Sequence, residues 1–233
     1  DEIKEIQAGD RLRIIELANG EIWSVSDDRT RGIGRYVDNT WRVVWLADRG
    51  GIDLNASIVQ TRDGTVWIGG YEGILHAYRN EKWEVYRTPD IPIPTTRIID
   101  MVAASDGALW ILGNGRVPIR LDYATDRWTT YQGLNYQTED AQGQTWFLET
   151  SGSVIKQKVA DWTRFDVNDG VIDTPTGIIP RRRGGVWVVG THEEQAASAR
   201  FVEGDWQREL YPELSWGIDG RSAREAANGD LWL

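Results

Sequence analysis

"DGTVWIGGYEGILHAYRNEKWEVY" (residues 63–86) sets Gly64 three places before Trp67 and repeats the tryptophan at Trp83. The segments "NGEIW", "DGALW", "QGQTW", "RGGVW" and "NGDLW" keep the same offset, so the fragment is one copy of a repeat. One series is Trp23, Trp67, Trp110, Trp146, Trp187 and Trp232, with steps of 44, 43, 36, 41 and 45 residues. A second is Trp41, Trp83, Trp128, Trp162 and Trp206, with steps of 42, 45, 34 and 44. Of 13 tryptophans only Trp45 and Trp216 fall outside the two series. Periods near forty residues belong to four-stranded propeller blades, although helical repeats of similar length exist.

The local pattern decides for strands. "RIIDMVAAS" (97–105) is a short apolar run, Asp106-Gly107 is a hairpin-grade turn pair and "ALWILG" is a second run. "VPIRLDYA" alternates, and "DRWTTYQ" is rich in aromatic and β-branched residues. No segment holds apolar residues at helical spacing over ten or more positions. Each repeat therefore reads as four antiparallel strands, A to D, with the glycine supplying the positive φ of a tight A–B turn. The strand-B tryptophans should stand at equivalent, buried positions. Strand-D tryptophans have the bulk to fill the space between adjacent blades. The expected fold is all-β: a β-propeller of four-stranded antiparallel blades, five complete repeats plus a partial sixth, in one domain over 1–233.

The ends shape a further expectation. Residues 2–10 align with a strand D and "SAREAANGDLWL" supplies only strands A and B. Ile3–Gln7 should pair as an outer strand, ideally beside Arg221–Leu233. A chain that stops on "WL" within a strand is expected to be a fragment of a longer one.

Composition narrows the function. The formal net charge of −10 disfavours nucleic acid or an anionic membrane as partner. No run of 18 apolar residues exists, so no membrane insertion is expected in this segment. Zero Cys removes disulfides, thiol nucleophiles and Cys-based zinc sites. The basic run "PRRRGG" (180–185) lies at an A–B turn and reads as solvated.

The repeat resembles the two-component-regulator propeller repeat. Its best copy is Ile58, Asp63-Gly64, Trp67-Ile68-Gly69, Gly73-Ile74 and Tyr78. The likeness spans nearly the whole chain but weakens in the fourth and fifth units. There Gln142-Gly143 and Arg183-Gly184 replace Asp-Gly, and "THEEQAASARF" lacks the Gly-Ile step. The resemblance implies a bacterial sensor domain in a periplasmic or extracellular setting, recognising a glycan or peptide without catalysis in the propeller. "QTWFLE" (144–149) also looks like one unit of the lyase propellers.

Catalytic constellations are scarce. His76 and His192 stand in different repeats, each reading as a surface or satisfied residue. "DVNDG" (166–170) starts like a calcium loop, but Gly170 takes a ligand position and no glutamate follows, so it reads as a D–A turn. "GIGRYV" and "GNGRVP" lack the third glycine and a helix. Asp27-Asp28 and Glu193-Glu194 read as solvated B–C loops. No cofactor, no metal and no catalytic residue is expected.

A binding site should lie where repeats diverge, on the D–A and B–C connections. The candidates are Trp45, Arg49, Tyr136, Asp173 and Trp216 from the D–A segments, with Tyr71 and Arg116 from B–C loops. Aromatic faces beside Arg and Asp suit a sugar ring or a peptide. An equal reading makes Trp45 and Trp216 plugs between blades. The alternative function is an assembly scaffold binding a protein partner, with exposed blade edges as a route to oligomers. A propeller lyase ranks third.

Overall fold

The computed structural model describes residues 2–3, 12–26, 33–45, 57–70, 72–87, 92, 97–114 and 117–233. They form two compact units, Asp1–Gln132 and Gly133–Leu233. In the first, β1 (Glu2–Ile3), β2 (Leu12–Glu16), β3 (Ile22–Ser26), β4 (Ile33–Val37) and β5 (Thr40–Trp45) make a sheet in the order β1-β5-β4-β3-β2. The second sheet runs β6 (Ser57–Gln60), β7 (Val66–Gly69), β8 (Leu75–Arg79) and β9 (Lys82–Tyr86). The third runs β10 (Ile98–Ala103), β11 (Leu109–Gly113), β12 (Ile119–Asp122) and β13 (Arg127–Thr130).

The second unit begins with β14 (Leu134–Glu139), β15 (Thr145–Glu149), β16 (Val154–Lys158) and β17 (Asp161–Phe165) as the fourth sheet. The fifth holds β18 (Thr174–Pro180), β19 (Val186–His192), β20 (Gln195–Val202) and β21 (Asp205–Leu210). A two-stranded sheet, β22 (Arg224–Glu225) with β23 (Leu231–Trp232), follows. Apart from β1, every sheet pairs strands consecutive in sequence, the antiparallel meander that a propeller blade requires. The first strand departs from expectation. Its pairing partner is the open edge of β5 and not the 221–233 segment, with Glu2 opposite Arg42 and Ile3 opposite Trp41. An unpaired strand-D edge offers a ready row of backbone donors and acceptors. Residues 4–7 of the expected strand lie outside the described residues.

The A–B turns repeat hydrogen bond by hydrogen bond. Leu17, Thr61, Ala104, Asp140, Arg181 and Ala226 each donate N–H to the carbonyl four residues on and accept from the glycine three residues on. Those glycines, Gly20, Gly64, Gly107, Gly143, Gly184 and Gly229, have φ between 70° and 96°. Six copies of one left-handed turn thus fix the register of strand B against strand A, and with it the height of each tryptophan.

Burial follows. Trp23, Trp67, Trp110, Trp146 and Trp187, one on each strand B, are 0 to 7% exposed. Within each unit the indole packs across to the following sheet. Trp23 meets Tyr78 at 5.0 Å and Trp83 at 6.3 Å, Trp67 meets Tyr123 at 5.2 Å, and Trp146 meets Phe201 at 5.3 Å and Trp206 at 6.1 Å. The strand-D tryptophan therefore caps the strand-B tryptophan of the preceding sheet. Aliphatic residues complete these layers: Leu17, Val25 and Ile33 with Ile68, then Leu75 with Ile111 and Leu121, then Val154 with Val186 and Val188. Several indole N–H groups find acceptors in the adjoining turn, Trp23 on Glu21 (3.0 Å), Trp67 on Thr61 (3.0 Å) and Trp146 on Asp140 (2.7 Å). Trp232 on β23, in a sheet with no strand C, is 68% exposed.

Trp67→Ala should cost about 3–5 kcal/mol in urea unfolding, whereas Trp216→Ala, at a 68% exposed position, should stay within about 0.5 kcal/mol. Equal losses would contradict the interlock. Gly107 has φ +92° and a Cβ there would meet nothing within 4 Å. Gly107→Ala should therefore lose about 1–2 kcal/mol through backbone strain alone, with Gly107→Asn losing less.

Candidate functional site

The expected face divides into placed and unplaced residues. Arg49, Tyr71 and Arg116 lie outside the described residues, as do Asp27-Asp28. Trp45 ends β5 with its backbone in register with Ile33, and its side chain is outside the described set. Tyr136 is a correction: "QGLNYQ" is no loop, because β14 begins at Leu134 and pairs Tyr136 with Phe147. The connection shrinks to residues 131–133, since Gly133 adopts φ +75° and turns the chain at once. The half-buried Tyr136 ring packs edge-on against Phe147 at 6.1 Å. Trp216, on the connection after β21, is 68% exposed.

Asp173 is tied into the sheet end. Its carboxylate accepts the Glu193 N–H at 2.8 Å and lies 3.4 Å from His192 Nδ1. The Glu193 hydrogen bond, foremost, holds the Asp173 carboxyl below its usual range. His192 Nε2 is 2.6 Å from Arg208 Nη1, and Arg208 Nη2 donates to the carbonyls of Val167 (2.9 Å) and Val171 (2.7 Å). A guanidinium can only donate, so Nε2 accepts and the ring proton sits on Nδ1, toward Asp173. This chain of contacts straps the D–A connection to the B–C turn, where Glu193 and Glu194 form a two-residue hairpin with φ 49° and 65°. Both glutamates are exposed, as expected of a solvated turn. The geometry of the cluster is that of a clamp. Sequence reading missed Arg208 and its bond to His192. "DVNDG" is the expected turn: Asp166 caps a 3-10 turn over Val167–Asp169 and Gly170 closes it at φ 103°.

The opposite, A–B and C–D end of the second unit holds a cavity of about 530 Å³. The turn of the fourth sheet (Asp140, Gln142, Gln144) forms one wall, and the turn of the fifth (Arg181, Arg183) another. Lys156 and Phe201 form the floor and Glu203 stands on the rim. "PRRRGG" is the A–B turn, yet it is not wholly solvated. The Arg181 side chain is 11% exposed, 3.8 Å from the buried Glu225 carboxylate, and donates to the Gly184 carbonyl at 3.0 Å. Gly184 and Gly185 at the turn let the chain fold back tightly enough for Arg181 to point inward, and the guanidinium lies 5.8 Å over Trp187.

No family model and no curated protein matches this sequence. Among the solved structures that share the fold are two extracellular domains. One is the extracellular domain of BT3049 from B. thetaiotaomicron, described as a putative hybrid two-component system, at 15% identity and TM-score 0.60 over 97% of this chain and 32% of that one. Another is the extracellular domain of BT4673 from the same organism, described as a putative one-component system, at 17% identity and TM-score 0.52 over 98% and 41%. The chain thus spans about a third of the first and about two fifths of the second. At such identity the likeness establishes the fold, in line with the repeat resemblance.

His76 lies inside β8, 1% exposed, a core histidine rather than a surface one. Burial first, then the Arg87 charge, lowers its pKa to about 4, so it is neutral in the folded protein. Its unfolded counterpart titrates near 6.5, so the stabilising difference is whole above that pH and is lost as pH falls from about 6.5 to about 4. That loss should amount to roughly 3 kcal/mol, since a tenfold difference in proton affinity between the folded and unfolded chains is worth about 1.4 kcal/mol. Urea unfolding at a series of pH values should show it in the wild type and a flatter profile in His76→Gln.

Proposed function

We propose that this chain is a non-catalytic recognition module of an extracytoplasmic sensor, binding a glycan or peptide at the D–A and B–C ends of its sheets. The observation that carries this reading is the contrast between the two ends. The A–B turns repeat in six copies down to single hydrogen bonds. The described D–A connections share no common form: residues 131–133 make a bare turn, 166–173 a capped 3-10 turn, and 211–223 a longer excursion bearing Trp216. Repeated geometry serves the frame and divergent geometry serves a ligand. Trp216, 68% exposed, offers a stacking face that no packing need explains. Asp173, whose side chain keeps 37% exposure beside the Glu193 turn, can accept a hydroxyl or amide hydrogen. A fold shared with extracellular domains of bacterial regulators supports the sensing role and an extracellular or periplasmic setting. The ligand is neutral or cationic on this face, given the excess negative charge of the chain.

A glycan array with purified protein identifies a ligand, and calorimetry then compares wild type with Trp216→Ala. Loss of one stacking aromatic should weaken binding about tenfold or more while the melting temperature holds. Unchanged affinity in a folded Trp216→Ala variant, or turnover of the ligand, would overturn the reading.

A further inference from the structure

In four of the five blades strand C places a cation opposite the strand-B indole: Trp23 faces Arg35, Trp110 faces Arg120, Trp146 faces Lys156 and Trp187 faces Arg200, while Trp67 faces Ala77. In the first and third sheets the A–B turn supplies an acid to that cation, Glu21 for Arg35 and Asp106 for Arg120. The second sheet makes the same pairing one step along, Asp63 with Arg79 at 3.9 Å. The fourth and fifth sheets break the rule. Gln142 and Arg183 occupy the place of Asp63 and Asp106, a neutral amide and a further cation. The acid of the fourth-sheet turn, Asp140, faces the Trp146 indole, and the Lys156 ammonium rests 4.9 Å over Phe201 and 5.5 Å over Phe165. The cavity opens at this spot.

Two of the carboxylates nearby are already engaged. Asp140 is turned inward, accepting from the Trp146 indole and from the N–H groups of Gln142 and Gln144, both at 3.0 Å. Glu225 is engaged by Arg181 and by the Arg182 N–H at 2.6 Å. Asp140 and Arg181 line the cavity held by these contacts, and Lys156, Arg183 and Glu203 are its other charged residues.

We propose that this cavity is a binding site for a hydroxylated monocarboxylate of sugar-acid size. Its carboxylate lies between Lys156 and Arg183, its hydroxyl groups reach Gln142, Gln144 and Glu203, and its apolar edge rests on Phe201. A volume of about 530 Å³ accommodates such a molecule. The site lies at the end of the sheets opposite Trp216 and stands or falls independently of the D–A and B–C face.

Amide and indole NMR spectra of the whole chain, titrated with glucuronate and separately with glucose, test the assignment. The expected result is saturable shifts at Gly184, Gly185, Gly204 and the Trp146 indole with glucuronate and not with glucose, weakening as salt rises. Gln142→Asp restores the acid of the other repeats and should neutralise Lys156. It and the exposed Arg183→Gln should each lower affinity about tenfold, as for a lost charge-assisted contact, with unchanged thermal melts. Absent shifts, equal shifts with glucose, or affinity indifferent to both substitutions would overturn the proposal.

Discussion

The contact between a strand-B indole and the strand-C and strand-D aromatics of the next sheet is the constraint on which the rest depends. Strands of four to eight residues bury little by themselves, and a lone four-stranded meander leaves both faces to water. Trp23 against Tyr78 and Trp83, and Trp146 against Phe201 and Trp206, convert those faces into closed layers. A buried aromatic withdraws roughly 150–250 Å² from solvent, so one ring per strand replaces a longer aliphatic run. Stability then accrues between neighbours, as in other repeat proteins.

That interlock works only at one height, and the A–B turn sets the height. Because glycine holds φ between 70° and 96° in every copy, the turn is insensitive to what its other residues are. Asn19, Asp63, Asp106, Gln142, Arg183 and Asn228 all precede the glycine without altering the hydrogen bonds. The position is thereby free to carry acid, amide or base. Charge at this end of the sheets varies on a constant backbone.

Much of this was legible in the chain. The fixed Gly-to-Trp offset pointed to strand B, its register and its burial, because glycine conformation and indole size are local properties. Tyr136 was misplaced because "GLNYQ" is too short for alternation to separate a strand from a loop, and only its pairing with Phe147 decides. The Arg208–His192 bond links β19 to β21 past the intervening β20, and nothing in the spacing announces it. The replacement of Asp-Gly at Gln142 and Arg183 was visible as a weakened repeat. Its meaning needed the register that sets Lys156 opposite Trp146. β1 shows a different limit, since an edge strand can be recognised by pattern while its partner is chosen by whichever edge is open.

The paired indoles have an optical consequence. Trp23 and Trp83 lie 6.3 Å apart at 51°, and Trp146 and Trp206 lie 6.1 Å apart at 87°. Chromophores so close and so tilted share their excited states, which splits their absorption into bands of opposite rotational strength and passes excitation between rings. The circular dichroism of this protein therefore carries a contribution from side chains superimposed on that of the backbone, and a reading of strand content that ignores it will be wrong. The same coupling makes the spectrum a gauge of spacing between neighbouring sheets, sensitive to separations that backbone signals do not register.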